Sequence, residues 1–276
     1  MKKNENIVII ITLFKKNLYE SISFQTLSKH LKKTKLDYKI IVYNNSPEYK
    51  IEETENVIII NSVKSGKLPE AYNFALNYGI ENFSKWLLLL DQDTEVTIEY
   101  LIELDNKLNS IQDENLVAIV PILIDKETVL SPKTISNIGW WENKIKSTGY
   151  NLGRIVAFNS LSLLNIRFLQ ELGGFSEKYP LDMLDHWYYN QIYLQKKKVY
   201  VLDTSINHGL SFQNYEKEVS ISRHIDFLNA EKMFVKELRV SHFISYKLKL
   251  FLRSIKQYII FKNKEYSKYT FKKFIS

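Results

Sequence analysis

Apolar and polar positions alternate along the first 120 residues in two rhythms. IVIIITLF (7–14) is continuously apolar, as expected of a strand buried on both faces. Leu18, Ile22, Leu27 and Leu31 then recur at helical spacing. DYKIIVYNN (37–45) predicts a second strand ending in turn residues, and NVIIIN (56–61) a third. Past Gly66 the pattern predicts a helix from about Leu68 to Tyr78. KWLLLLD (85–91) reads as a fourth buried strand, followed by a helix to about Asn109 and by the strand LVAIVP (116–121). This alternation predicts an α/β fold with a mostly parallel sheet covered by helices. Ligands of such sheets bind beyond the carboxyl ends of the strands. The segments to search for chemistry are therefore Thr12–Lys15, Asn44–Ser46, Ser65–Lys67 and Asp91–Thr94.

The second half is less regular. Residues 122–160 read as irregular, punctuated by Pro132, Gly139, Gly149 and Gly153 and carrying the pair Trp140–Trp141. RIVAFNSLSLL (154–164) is a short apolar stretch, and a helix ending at Gly173–Gly174 follows. Residues 181–196 look helical and KVYVLD (198–203) strand-like. From about Glu216 the pattern is helical, with no clear strand. The expected organisation is an α/β body over 1–215 and a helical region over 216–276.

Composition narrows the class. With 45% hydrophobic and 25% charged residues, the 276-residue chain can bury a proper core. The absence of cysteine rules out a disulfide framework and thiolate metal sites, and it fits a reducing compartment. Two lysines precede the first apolar run, as in a signal peptide, but the run is short and no small-residue cleavage site follows, so it reads as a strand. No stretch reaches the roughly 18 apolar residues needed to cross a bilayer. The net charge of +7 is concentrated at one end: Arg239–Ser276 carries +9, with Glu265 its single acid, and residues 1–238 carry −2. A near-neutral body argues against nucleic acid as the partner.

Three constellations could carry chemistry. Asp91-Gln92-Asp93 follows the apolar run WLLLL, and two carboxylates so spaced at a strand end can share a hard divalent cation. They could equally form a solvated acidic turn. In GGFSEKYPLDMLDHWYYNQ (173–191), Asp182 and Asp185 project to one side of a helix or tight turn. Either could be a general base or a helix cap. His208, just beyond a strand, could be a metal ligand or a polar surface residue.

Taken in order, ITLFKKN, YNNS (43–46), SGKLPEAYNFALNYG (65–79), LLLLDQDT (87–94), GGFSEKYPLDMLDHW (173–187) and NHGLS (207–211) resemble family 2 glycosyltransferases of the GT-A fold. The branch containing bacterial rhamnosyltransferases is the most similar, and RHIDFLN (223–229) looks like a segment of that branch, with Arg223 and Asn229 retained. The resemblance covers about residues 7–230 and implies a Rossmann-like sheet with a C-terminal helical extension. It implies that Thr12, Asn44, Asn45 and Ser46 line the nucleoside pocket, that Lys67 and Asn73 approach the donor, and that Asp91 and Gln92 lie against it. Asp93 would hold Mn²⁺ or Mg²⁺ with His208 and Asp91, Asp185 would be the catalytic base, and Asp182 would shape the acceptor site. The implied reaction is an inverting transfer, rhamnose favoured, from a dTDP- or UDP-linked sugar to a lipid-linked saccharide. It would serve surface polysaccharide synthesis at the inner face of a bacterial membrane. Two positions depart from the family: Gln191 stands where an arginine is usual and Trp187 where an acid is usual. Arg154 or Arg167 would have to supply the missing positive charge.

Other classes remain in view. A UDP-hexose or UDP-N-acetylhexosamine transferase would share the fold. A nucleotidyltransferase would open on a glycine-rich phosphate loop, and ITLFKKN has no glycine. A non-enzymatic basic module for membrane or RNA would use the tail. There Leu248, Phe251, Leu252, Ile255, Tyr258 and Ile259 form an apolar helical stripe flanked by Lys247, Lys249, Arg253, Lys256 and Lys262. That stripe could pack on the protein's own core or touch an anionic membrane.

Overall fold

The structure, a computed structural model, describes residues 6–63, 66–145, 147–208 and 215–276. Ser65 and residues 209–211 of the family-like segments lie outside the described residues. The chain divides into two compact units, Met1–Pro132 with Ile145–His208, and Lys133–Lys144 with Gly209–Ser276.

In the first unit the apolar runs become strands. β1 (Ile7–Leu13), buried at every position, pairs in parallel with β2 (Tyr38–Asn44), and β2 with β3 (Val57–Asn61). A 3-10 turn (Leu18–Glu20) and α1 (Ile22–Leu31) connect β1 to β2. After β3 the chain crosses back through α2 (Leu68–Glu81) to β4 (Trp86–Asp91), on the other side of β1. The strand order thus reverses between β1 and β4, which opens a crevice at their carboxyl ends. α3 (Ile98–Asn109) and β5 (Leu116–Asp125) follow. Ile7, Ile9 and Ile11 share a core with Phe24 and Leu27 of α1 and Leu101 and Leu104 of α3. On the other face α2 comes close enough that a Cβ on Gly79 would lie 3.4 Å from Val8. Helices therefore cover both faces.

β5 runs past the predicted stop at Pro121. Proline offers no ladder N–H, and the pairing shifts register around it: Val120 faces Val201, but Ile122 faces Ser205. The stretch read as irregular contains short strands that depend on distant partners. β6 (Thr128–Ser131) folds back on β5; β7 (Lys133–Ile135) and β8 (Glu142–Lys144) form a hairpin; β9 (Gly149–Asn151) pairs with the later β12. β10 (Ile155–Val156) is followed by β11 (Leu163–Asn165), which runs antiparallel between β4 and β5. α4 (Ile166–Glu171) ends at Gly173 and Gly174, whose φ of +80° and +91° suits glycine best. α5 (Leu184–Leu194) and β12 (Lys198–Asn207) complete the order β3-β2-β1-β4-β11-β5-β12-β9.

The second unit joins the β7–β8 hairpin to α6 (Tyr215–Glu218), α7 (Ile221–Lys236), α8 (Val240–Ile260) and α9 (Glu265–Ile275). Buried Trp140 brings the hairpin in. Its backbone N–H donates to Ser245 Oγ at 2.7 Å, its ring meets Phe234 at 5.5 Å, and its indole N–H donates to Glu231 at 3.5 Å. Glu231 in turn accepts both terminal nitrogens of Arg253, at 2.7 and 2.8 Å. Among the described residues no helix is long and apolar enough to cross a membrane.

Candidate active site

The predicted residues at the first two strand ends lie side by side. Thr12 pairs with Asp91 on one side and with Tyr43 on the other, and Leu13 pairs with Asn44. Backbone and side-chain bonds tie these ends together: Asn45 N–H donates to Leu13 O, Lys15 N–H to Ser46 Oγ and Phe14 N–H to Gln92 Oε1. Asn44 is fully buried, and its amide donates to Asn61 Oδ1 and to the carbonyl of Tyr49. It therefore shapes the pocket wall from behind. Asn45 differs: its Oδ1 is buried without a hydrogen-bond partner among the described residues, against Gly66. Lys67 caps the start of α2 and is exposed, and the next N–H, of Leu68, donates to Pro180 O.

The acidic turn after β4 is stapled from below by side chains with no signal in the hydrophobic pattern. Ser23 Oγ, fully buried, donates to the carbonyls of Asp91 and Thr94. Asp91 N–H donates to Ser160 Oγ, which also meets Thr94 Oγ1 at 2.7 Å. The turn leaves Asp91 partly buried and Asp93 exposed.

The second acidic constellation approaches Asp91 from α5. Asn73 on α2 accepts from Phe175 N–H at 2.7 Å and donates to Phe175 O at 3.0 Å, so its amide braces this loop. Met183, in left-handed conformation (φ 64°), caps α5 without a side-chain bond, which leaves Asp182 half-buried in the turn before it and Asp185 in the first helical turn. The N-terminal end of a helix favours an anion there. Asp185 Oδ1 accepts from the backbone N–H of His186 at 2.7 Å and lies 2.9 Å from its Nδ1. Both bonds fall on Oδ1; Oδ2 has no partner among the described residues.

Electrostatics shows that the two constellations are neighbours. The Asp91 carboxyl is pushed up to about 7, first by burial, then by the charge of Asp93, then by that of Asp185. Tyr72 on α2, fully buried and with no hydroxyl partner among the described residues, is raised by burial and by both Asp91 and Asp185. Just past β12, the backbone N–H of His208 donates to Ile124 O, and burial lowers its imidazole against the opposing charge of Asp93. Thr12, Asp91, Asp93, Asp185 and His208 therefore share one rim.

This donor set fits a divalent cation. Gathered carboxylates repel one another, a cation removes that cost, and an imidazole kept neutral by burial is ligand-ready. Asp91, Asp93 and His208 do not, however, form a closed three-ligand cage: among the described residues no group of three or more His, Asp or Glu is so placed. Ions such as Mg²⁺ usually complete so sparse a shell with phosphate oxygens and water. Of the two arginines proposed to replace the missing charge, Arg167 pairs with Glu171 beside the amino end of β4, away from the rim. Arg154 lies against α5, donating to Asn190 Oδ1 at 2.7 Å and stacking over Tyr193.

The crowding of Asp91 predicts a stability effect. Its carboxyl holds a proton more tightly folded than unfolded, so the metal-free fold loses stability as pH rises from about 4 to about 7. Asp91→Asn should therefore raise the thermal midpoint in chelator at pH 8 and leave it unchanged at pH 4. A wild-type midpoint equal or higher at pH 8 would show that Asp91 is not crowded.

Neither a family model nor a curated protein matches the chain by sequence. Solved structures do match by shape. The mannosyltransferase PcManGT from Pyrobaculum calidifontis, solved with GDP-Man and Mn²⁺, aligns with TM-score 0.58 at 11% identity over 99% of this chain and 74% of its own. S. aureus TarS (1–349) aligns with TM-score 0.56 at 12% identity over 98% and 80%. GalNAc-T7, solved with UDP, GalNAc and Mn²⁺, aligns with TM-score 0.60 at 12% identity over 100% of this chain and 56% of its own. Likeness at such identities establishes the fold: a GT-A-type α/β arrangement with a C-terminal helical extension.

Proposed function

We propose that the chain is a metal-dependent, inverting glycosyltransferase moving a sugar from a nucleoside-diphosphate sugar to a hydroxyl of a saccharide acceptor. The observation that carries this is the joint influence of Asp93 and Asp185 on Asp91 at the β1/β4 switch point. Acids from two distant segments meet where a GT-A fold opens its crevice. The nucleotides and Mn²⁺ in two of the solved neighbours support the same reading.

In this reading Thr12, Asn45 and Ser46 line the nucleoside side, with Asn44 and Gln92 holding the strand ends in place and Asn73 the opposite loop. Lys67 faces the phosphates as a mobile point charge. Asp93, with Asp91 and His208, would hold Mn²⁺ or Mg²⁺, and the ion would supply Lewis-acid neutralisation of the diphosphate's charge. Asp185 Oδ2 takes the acceptor's proton as the acceptor oxygen attacks the anomeric carbon from the face opposite the leaving group. One displacement inverts the centre without a covalent enzyme intermediate. His186 steadies Oδ1, and Asp182 shapes the acceptor side. Residues 1–215 carry this machinery, and 216–276 form the basic helical region.

Resemblance to the rhamnosyltransferase branch favours dTDP-rhamnose as donor and a lipid-linked acceptor in surface polysaccharide synthesis, at the cytoplasmic face of a bacterial membrane. The alternative donor is a UDP-linked hexose or N-acetylhexosamine. A panel of these sugars assayed for released nucleoside diphosphate tests the choice, with dTDP-rhamnose expected to turn over fastest. The metal role is tested by titration calorimetry of nucleotide binding with and without Mn²⁺. Wild type should bind at least about tenfold more tightly with Mn²⁺, and Asp93→Ala should lose that gain. An Mn²⁺ effect that survives Asp93→Ala would remove Asp93 from the cation site.

A further inference from the structure

Helix α8 is built inside out. Its inward side carries His242, Ser254 and Gln257, buried beside Tyr246 and Leu250, together with Arg253 paired to Glu231. Its outward side carries Ile244, Leu248, Leu252, Ile255 and Ile259, between 43% and 73% exposed. At 100° per residue these five fall within an arc of about 80°, exposed Val240, Phe251 and Tyr258 continue it, and Ile260 is exposed outside it at the helix end. An ordinary surface helix does the reverse. Among the described residues, the stripe predicted to pack on the core or on a membrane thus stays largely exposed. α9 extends the surface: Phe251 meets Phe274 at 5.4 Å, and Phe271 and Ile275 are exposed. A contiguous apolar face of this size on a water-exposed helix marks a contact site.

We infer that this face of α8 and α9 docks the protein on an anionic lipid bilayer, with α8 lying in the plane of the interface. Charge selects the occupant. Lys247 borders the apolar arc on one side and Lys249 and Lys256 on the other, and the segment Arg239–Ser276 carries +9. A second copy seated here would bring another +9 against the first, whereas anionic headgroups complement it. α8 has 21 residues, about 30 Å at 1.5 Å per residue, and lies on the membrane because no described helix is apolar enough to cross it. The inference rests on the second unit alone and holds whether or not the transferase reading does.

The test is flotation of the full chain with vesicles of phosphatidylcholine alone or with about 30% phosphatidylserine. Wild type should partition onto the anionic vesicles at least about tenfold better. The triple variant Ile244→Ser, Leu252→Ser, Ile259→Ser should lose at least about tenfold of that binding with its thermal midpoint and nucleotide binding unchanged. Lys256→Gln and Lys262→Gln should each cost about fivefold. Three results would overturn the inference. The triple variant floats like wild type; it melts well below wild type, so that the face is packed by protein; or sedimentation shows a wild-type dimer that the triple variant dissociates.

Discussion

Asp185→Asn is expected to slow sugar transfer by roughly 10²–10⁴-fold, the usual worth of a positioned general base, while nucleotide binding and the thermal midpoint stay near wild type. Asparagine keeps the size of the side chain and can still accept from the His186 N–H through its carbonyl oxygen. What it cannot do is take a proton at the other terminal atom. The loss should appear in kcat, because the proton is transferred only as the acceptor oxygen attacks. His186→Gln, which disturbs the orientation of the carboxylate and leaves its charge, should cost much less. Transfer by Asp185→Asn at near wild-type rate would take Asp185 out of the base role. A loss of Mn²⁺-dependent nucleotide affinity in that variant would move it to the donor side.

Glu231→Ala should destabilise the second unit by about 3–5 kcal/mol, measured by urea unfolding. Glu231 is only 2% exposed, and its two oxygens accept the two terminal nitrogens of Arg253. Burial alone would raise its carboxyl; the Arg253 charge, the hydrogen bonds from Arg253, the Lys249 charge and the Trp140 indole outweigh that and hold it below the ordinary carboxylate range. Truncating Glu231 leaves a guanidinium inside without its partner, which is why one deletion costs more than the pair is worth. The double change Glu231→Leu with Arg253→Met should therefore recover much of the loss. Because the carboxyl is lowered in the fold, its contribution is present above about pH 4 and disappears as the pH falls below that. A single-variant loss under about 1 kcal/mol would show that water reaches Arg253 and screens it.

What could be read from the chain alone follows from how local each signal is. β1, β2 and β4 are legible because a strand buried on both faces needs an unbroken apolar run, and IVIIITL or WLLLL has few other uses. Asp91, Asp93 and Asp185 stand out as acids at a strand end and a helix start, where a cation ligand, a base, a solvated turn and a cap are all open; that Asp91 and Asp185 lie near one another is not legible. Nor are their helpers: Ser23 and Ser160 act through hydrogen bonds to residues some seventy positions away, His186 through its orientation beside Asp185, and a serine in a helix looks like any other. Asn44 and Asn73 show the same gap from the other side. The residue types fit a ligand pocket, but their amides are engaged by Asn61, Tyr49 and Phe175, which no spacing reveals. The stripe on α8 is legible as periodicity, whereas which side of the helix turns inward depends on Glu231 and Trp140, far away in the chain.

The reversed strand β11 has a consequence for how the molecule is made. β4 and β5 follow one another in the chain, yet they share the sheet only through β11, whose residues emerge some forty positions after β5. A growing chain that stops short of Asn165 leaves β4 with an open edge of unpaired amides between a finished four-stranded half and an unfinished one. Until those three residues arrive, any passing extended chain can take their place. Truncations ending between residues 125 and 160 should therefore aggregate, and the full chain should not.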